Sequence, residues 1–169
     1  RNIVRSQETN LGNITAVANL DAARDALAED VLLIGSLTTG GGIRTAIGAV
    51  EVGSGEKLPP IANPDAGKPE GAVSTLDIEN SLRFNNRLMV FDTDAEGLKA
   101  ILEHGVAAPG GRFPQLGGIS MSYDPDLPAG SRIQSLAMID AQGTVIARLV
   151  ENGAVSPDAP GSISMVILN

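Results

Sequence analysis

Apolar residues recur at helical spacing over residues 6–29, where Leu11, Ile14 and Ala18 form one stripe that Leu20, Ala23 and Leu27 continue. Ser6, Glu8 and Thr9 supply capping and dipole-complementing groups at its start. A polar break near Asn19–Asp21 leaves one helix or two open. The continuous apolar run Val31-Leu32-Leu33-Ile34 predicts a buried strand over 31–35, followed by Leu37-Thr38-Thr39-Gly40-Gly41-Gly42-Ile43-Arg44. Three glycines in a row let backbone N–H groups come close to a ligand, because no Cβ blocks the approach. Arg44 then adds a permanent, planar cation suited to phosphate oxygens or ribose hydroxyls. Taken by itself, GGGIR is no more than a glycine turn with a surface arginine.

Periodicity then fades. Residues 51–73 are crowded with glycine and proline, which predicts a long surface loop. Ser74 or Thr75 caps a short helix through about Leu82, and Arg83-Phe84-Asn85-Asn86 turns into a strand over Leu88–Phe91. Thr93 with Glu96 fits a capping box for a helix whose apolar face is Leu98, Ile101 and Leu102, ending at Gly105. His104, the sole histidine, falls in its last turn. After a loop over 109–114, strands are predicted at 118–124, 132–140 and 144–150, and the chain ends in an apolar run, 163–169. Helices early and strands late predict an α+β fold, one domain with a mixed sheet packed by helices.

Composition narrows the function. A chain of 169 residues is long enough for one domain burying roughly 70% of its unfolded surface. Twenty acidic against 12 basic residues give a net charge of −8, which argues against a nucleic-acid or anionic-membrane surface and draws attention to the few arginines. There is no cysteine, hence no disulfide or thiolate metal site, and no apolar run long enough for a membrane span. One histidine cannot supply a two-metal hydrolytic centre, and no nucleophile motif accompanies it for a serine triad. The glycine loop lacks the lysine and Ser/Thr of a P-loop. The inventory describes a ligand-binding or structural domain rather than a self-sufficient enzyme.

Four stretches change that picture: Arg5-Ser6-Gln7-Glu8-Thr9-Asn10-Leu11-Gly12-Asn13, Gly40-Gly41-Gly42-Ile43-Arg44, Leu82-Arg83-Phe84-Asn85-Asn86 with the helix through Gly105, and Gly111-Arg112-Phe113-Pro114-Gln115-Leu116-Gly117-Gly118. In this order and spacing the chain resembles the C-terminal domain of the 5′-nucleotidase / UDP-sugar hydrolase family. The resemblance implies a substrate-specificity domain for a nucleotide or nucleoside. It also implies a separate N-terminal metallophosphoesterase domain that carries two divalent metal ions, leaving this chain without a cofactor and inactive by itself. By the same resemblance, Arg5 and Arg44 contact the ribose and phosphate side, Phe84 stacks on the base, Asn86 lies beside the ring and Gly111 offers a backbone contact. Phe113 is assigned to the core. Thr39 stands where many members carry Asn, so the base contact there passes to a hydroxyl.

The family continues beyond an Asn like Asn169 with a second stacking Phe and an Asp for the ribose. The sequence therefore predicts a fragment with a one-sided base site and poor nucleotide affinity, opening at Arg1 as an excised or mature segment would. The resemblance places the parent protein in the periplasm or outside the cell. Two other readings stay open: a family relative acting on a non-nucleotide substrate of the sulfur-oxidation type, and a non-catalytic structural or partner-binding module.

Overall fold

A computed structural model describes residues 3–27 and 33–169, which fall into two compact units. One is built from the chain up to Gly41 together with Asn86–Asn169, the other from Gly42–Asn85. In chain order the elements are α1 (Asn10–Ala26), β1 (Leu33–Thr39), β2 (Ala49–Val50), β3 (Lys57–Leu58), α2 (Thr75–Ser81), β4 (Leu88–Thr93), α3 (Ala95–Val106), β5 (Pro114–Gly117), β6 (Ile119–Tyr123), β7 (Ile133–Ile139), β8 (Val145–Glu151), β9 (Ala154–Val155) and β10 (Ile163–Leu168). Short 3-10 turns lie at Ile3–Arg5 and Pro64–Ala66.

The larger unit holds two four-stranded sheets. The first, in the order β4-β10-β1-β5, is mixed: β1 runs parallel to β10, and the two outer strands run antiparallel to their neighbours. The second, β6-β7-β8-β9, is antiparallel throughout. Leu98 and Leu102 of α3 meet Ile133, Leu136, Leu149, Ile163, Met165 and Phe113 in one core, and the Phe113 ring stands edge-on to Tyr123 with centroids 5.9 Å apart. The expected core position of Phe113 is therefore what the structure shows, and the α+β reading holds with a second sheet added.

Helix α1 is continuous through Asn19–Asp21, so two helices are not formed. Its N-cap is Thr9, whose hydroxyl accepts from the Gly12 N–H at 3.1 Å. The buried stripe differs from the expected one: Ile14 is 65% exposed, and the inward face is Gly12, Thr15, Ala16, Leu20 and Ala23. Close approach selects small residues here. A Cβ added to Gly117 of β5 would lie 2.8 Å from the Ala16 carbonyl carbon and the Val17 nitrogen, so helix and strand touch backbone to backbone.

Strand β1 runs on to Thr39, past its expected end at residue 35; Val31 and Leu32 lie outside the described residues. Strand β5 fell in what the sequence showed as loop and turn. Gly118, at φ +74°, breaks the run there, and the chain passes from the first sheet to the second. Helix α3 is capped by Asp94, not Thr93, which is the last residue of β4; the Asp94 carboxylate accepts from Gly97 N–H at 2.8 Å. Ile101 faces outward, and the helix runs one residue past Gly105. In its place on the inner face stands Glu103, 6% exposed, whose two carboxylate oxygens accept from Ile133 N–H (2.7 Å) and Arg132 N–H (3.0 Å). The Arg132 guanidinium in turn donates to the Val106 and Ala107 carbonyls that end the helix.

The smaller unit is mostly irregular, as its glycine and proline content requires. It has the two-stranded ribbon β2–β3 and the helix α2, which Ser74 rather than Thr75 caps through a reciprocal capping box with Asp77.

Candidate functional site

The topology of the first sheet sends several of the predicted residues to one end. Because β1 and β10 are parallel and β4 and β5 oppose them, the ends of β1 and β10 share an edge with the starts of β4 and β5. Thr39, exposed, is paired there with Pro114, and Gly111 lies in the turn leading into β5. Arg5 closes the 3-10 turn beside them: its carbonyl accepts from Gly110 N–H at 2.8 Å. Arg5, Thr39 and Gly111 are thus brought together.

The glycines act differently from the expectation. Gly40 N–H donates to the Phe113 carbonyl (2.8 Å) and Gly41 N–H to the Gly111 carbonyl (2.7 Å). A Cβ on Gly40 would sit 2.0 Å from the Val4 carbonyl oxygen, and one on Gly41 2.9 Å from the Gly111 oxygen. These two glycines therefore let three backbone segments close on one another. Their donors are engaged within the chain, not held open for a ligand.

Asn86 lies at the same sheet edge but is committed to the neighbouring strand end. Its amide donates to the Asn169 carbonyl (2.9 Å), while the Asn169 side chain accepts from Arg87 N–H (2.9 Å).

Arg44 and Phe84 belong to the smaller unit and meet there. Arg44 N–H donates to the Ser81 carbonyl (2.8 Å), and the Ser81 hydroxyl donates to the Thr45 carbonyl (2.8 Å), which ties the arginine segment to the end of α2. The Arg44 guanidinium lies over the Phe84 ring, 5.6 Å from its centroid, within cation–π range. Phe84 is 56% exposed, so the ring is not core packing. An exposed aromatic face braced by a cation can accept a planar heterocycle and place a charge near an attached anion.

Electrostatics stiffen the helix to which this pair is tied. Hydrogen bonding from the Lys68 ammonium (2.7 Å), then from the Ser74 backbone and hydroxyl, holds the Asp77 carboxyl far below the usual aspartate range. A depressed carboxyl adds stability that is present above its unfolded value and lost as pH falls toward the folded one. Acidification below about pH 4 is therefore expected to loosen the start of α2 progressively. Amide exchange of residues 74–81 followed during acid titration would show it, whereas protection unchanged down to strong acid would contradict it. In the larger unit, desolvation pushes the Glu8 carboxyl up against a lowering hydrogen bond from Asn13.

Among the described residues, no group of three or more His, Cys, Asp or Glu side chains could hold a metal ion. The two divalent ions that the family resemblance implies do not fit the described residues of this chain. Gln115, assigned no role from the sequence, proves to be fully buried and hydrogen-bonded to the backbone beside Arg5. The signal was an amide side chain set between Pro114 and Leu116 in an apolar setting, where every polar atom must find a partner.

A sequence model described as "5′-nucleotidase, C-terminal domain" matches residues 1–155. The chain belongs to the 5′-nucleotidase C-terminal domain family. A 5′-nucleotidase precursor from Thermus thermophilus superposes with a TM-score of 0.70 at 27% identity, over 99% of this chain and 26% of that one. The trifunctional nucleotide phosphoesterase protein YfkN of Bacillus subtilis is 30% identical over 150 residues, 87% of this chain and 8% of that protein. The NAD nucleotidase NadN of Haemophilus influenzae shares the fold, with a TM-score of 0.55 at 15% identity over 96% of this chain and 25% of that one. The chain thus spans about a quarter or less of these relatives. Strand β10 lies beyond the matched residues of this 5′-nucleotidase C-terminal domain, yet it occupies the middle of the first sheet.

Proposed function

We propose that this chain is the nucleotide- or nucleoside-binding specificity domain of a hydrolase that removes phosphate from nucleotides outside the cytoplasm. In this reading, bond cleavage belongs to a separate metallophosphoesterase domain with two divalent ions. The observation that carries the proposal is the Phe84 ring, exposed and braced by the Arg44 guanidinium. Phe84 takes the base, and the Arg44 guanidinium beside it takes the ribose or phosphate side. The family resemblance assigns further ligand contacts to Arg5, Thr39, Asn86 and the Gly111 backbone. Membership of the 5′-nucleotidase C-terminal domain family supports the substrate class, and the names of the Thermus and Bacillus relatives point to nucleotide hydrolysis.

Titration of the nitrogen-15-labelled chain with millimolar AMP is expected to shift the amides around Arg44 and Phe84. A Phe84→Ala variant is expected to lose roughly 1–3 kcal/mol of that binding, the usual contribution of a base on an aromatic ring. Its melting temperature should stay put, because the ring is largely in solvent. AMP shifts of the same size in wild type and variant would remove Phe84 from the base site.

A further inference from the structure

Gln115, the second residue of β5, carries a primary amide sealed from solvent. Such a group needs a partner for its oxygen and for both of its N–H donors. All of them end on one short segment near the start of the chain. Its Oε1 accepts from Thr9 N–H (2.9 Å) and from the Thr9 hydroxyl (3.2 Å). Its Nε2 donates to the carbonyls of Val4 (3.1 Å) and Gln7 (2.9 Å). Gly12 leaves room for the amide, since a Cβ there would fall 1.8 Å from Oε1. Between those two carbonyls, Gly110 N–H donates to Arg5 O (2.8 Å) and the Tyr123 hydroxyl to Ser6 O (3.0 Å).

Four consecutive carbonyls, from Val4 to Gln7, are therefore each held by a donor more than a hundred residues away in the chain. Local geometry does not demand this. A single 3-10 turn leaves its outer carbonyls to water at little cost. Pinning all four fixes the main chain on both sides of Arg5, and so fixes the root from which its long side chain reaches.

We propose that Gln115, seconded by Tyr123, is the positioning residue for Arg5, and that it sets the guanidinium for the phosphate or ribose end of the nucleotide. The inference rests on the reading above that Arg5 meets the ligand.

The test compares wild type with Arg5→Ala, Gln115→Leu, Tyr123→Phe and the doubles that combine each of the latter two with Arg5→Ala. AMP-induced amide shifts are read at one sub-saturating AMP concentration, and melting temperatures are measured alongside. Arg5→Ala and Gln115→Leu are each expected to weaken AMP binding about tenfold, and Tyr123→Phe about threefold. Each double should bind no worse than Arg5→Ala, because the partner's effect runs through the missing guanidinium. A residue that merely stabilises the fold would add its loss in full. If Arg5→Ala weakens binding but the Gln115 and Tyr123 variants match wild type, or add in full, the positioning role falls and the nucleotide reading stands. If Arg5→Ala binds like wild type, or wild type shows no AMP response, the reading of Arg5 as a ligand contact falls and the positioning role with it. Should Gln115→Leu not fold, the Tyr123→Phe pair decides by the same comparison, since it removes one hydroxyl from a half-buried ring.

Discussion

A Glu103→Ala chain is expected to lose about 3 kcal/mol of stability, because the Ile133 N–H is left buried without an acceptor and the Arg132 N–H loses its partner as well. At roughly 2–4 °C per kcal/mol for a chain of this size, the midpoint of thermal unfolding should fall by roughly 6–12 °C. The carboxylate staples the inner face of α3 to the start of β7, while Arg132 fastens the C-terminal carbonyls of the same helix. One substitution therefore unties helix from sheet. Glu103→Gln should fall between, since an amide offers one acceptor oxygen and turns an N–H group toward the other donor. Calorimetry decides it. A midpoint within about 1 °C of wild type for the alanine variant would mean that water replaces the carboxylate without cost.

Gly40→Ala is expected to be nearly as damaging and to take ligand binding with it. The new methyl would lie 2.0 Å from the Val4 carbonyl oxygen, a backbone atom that cannot rotate aside. Either β1 or the turn bearing Arg5 must move, at a cost of about 3 kcal/mol, typical of a forced overlap in a packed region. The hydrogen bond from Gly40 to Phe113 and the hold of Gln115 on Val4 both lie on the displaced side. AMP-induced shifts near Arg5 should consequently vanish in a chain that still folds at low temperature. A Gly40→Ala protein with wild-type melting and wild-type AMP response would show that the close approach is relaxed in solution.

Much of the fold was legible where local patterns and tertiary demands agree. The three long strands of the second sheet and the capped helix α2 follow from alternation and capping chemistry, and Phe113 sits in the core as expected. The sequence misled where backbone proximity overrode hydrophobicity. Ile14 looks like a core residue of α1, but the helix lies too close to β5 for a large side chain, and Gly12 with Ala16 face inward instead. Strand β5 escaped notice because Pro114 opens it and Gly117-Gly118 closes it, residues that ordinarily mark turns. Glu103 was invisible because a charged residue on an amphipathic helix reads as surface until two backbone donors are seen in front of it.

At the candidate site, the residue types were readable and their division of labour was not. Phe84 was picked out by the family resemblance, and Arg44 by that resemblance together with its place after the glycine run in an acidic chain; the two do meet. Gly40 and Gly41 were picked out as ligand-facing, yet their N–H groups close the chain on itself. A run of glycine reports that something approaches closely. Whether that something is a ligand or another piece of backbone depends on contacts far along the chain.

The central place of β10 carries a consequence for synthesis. Emerging from the ribosome, β1 must wait for more than a hundred further residues before its parallel neighbour exists, and β4 waits for more than half that stretch. During that interval two apolar ribbons stand with an open edge in a crowded cell, the situation in which chaperones are most often recruited. Expression yield of this domain should thus depend on how promptly β10 follows β1 and β4 out of the ribosome.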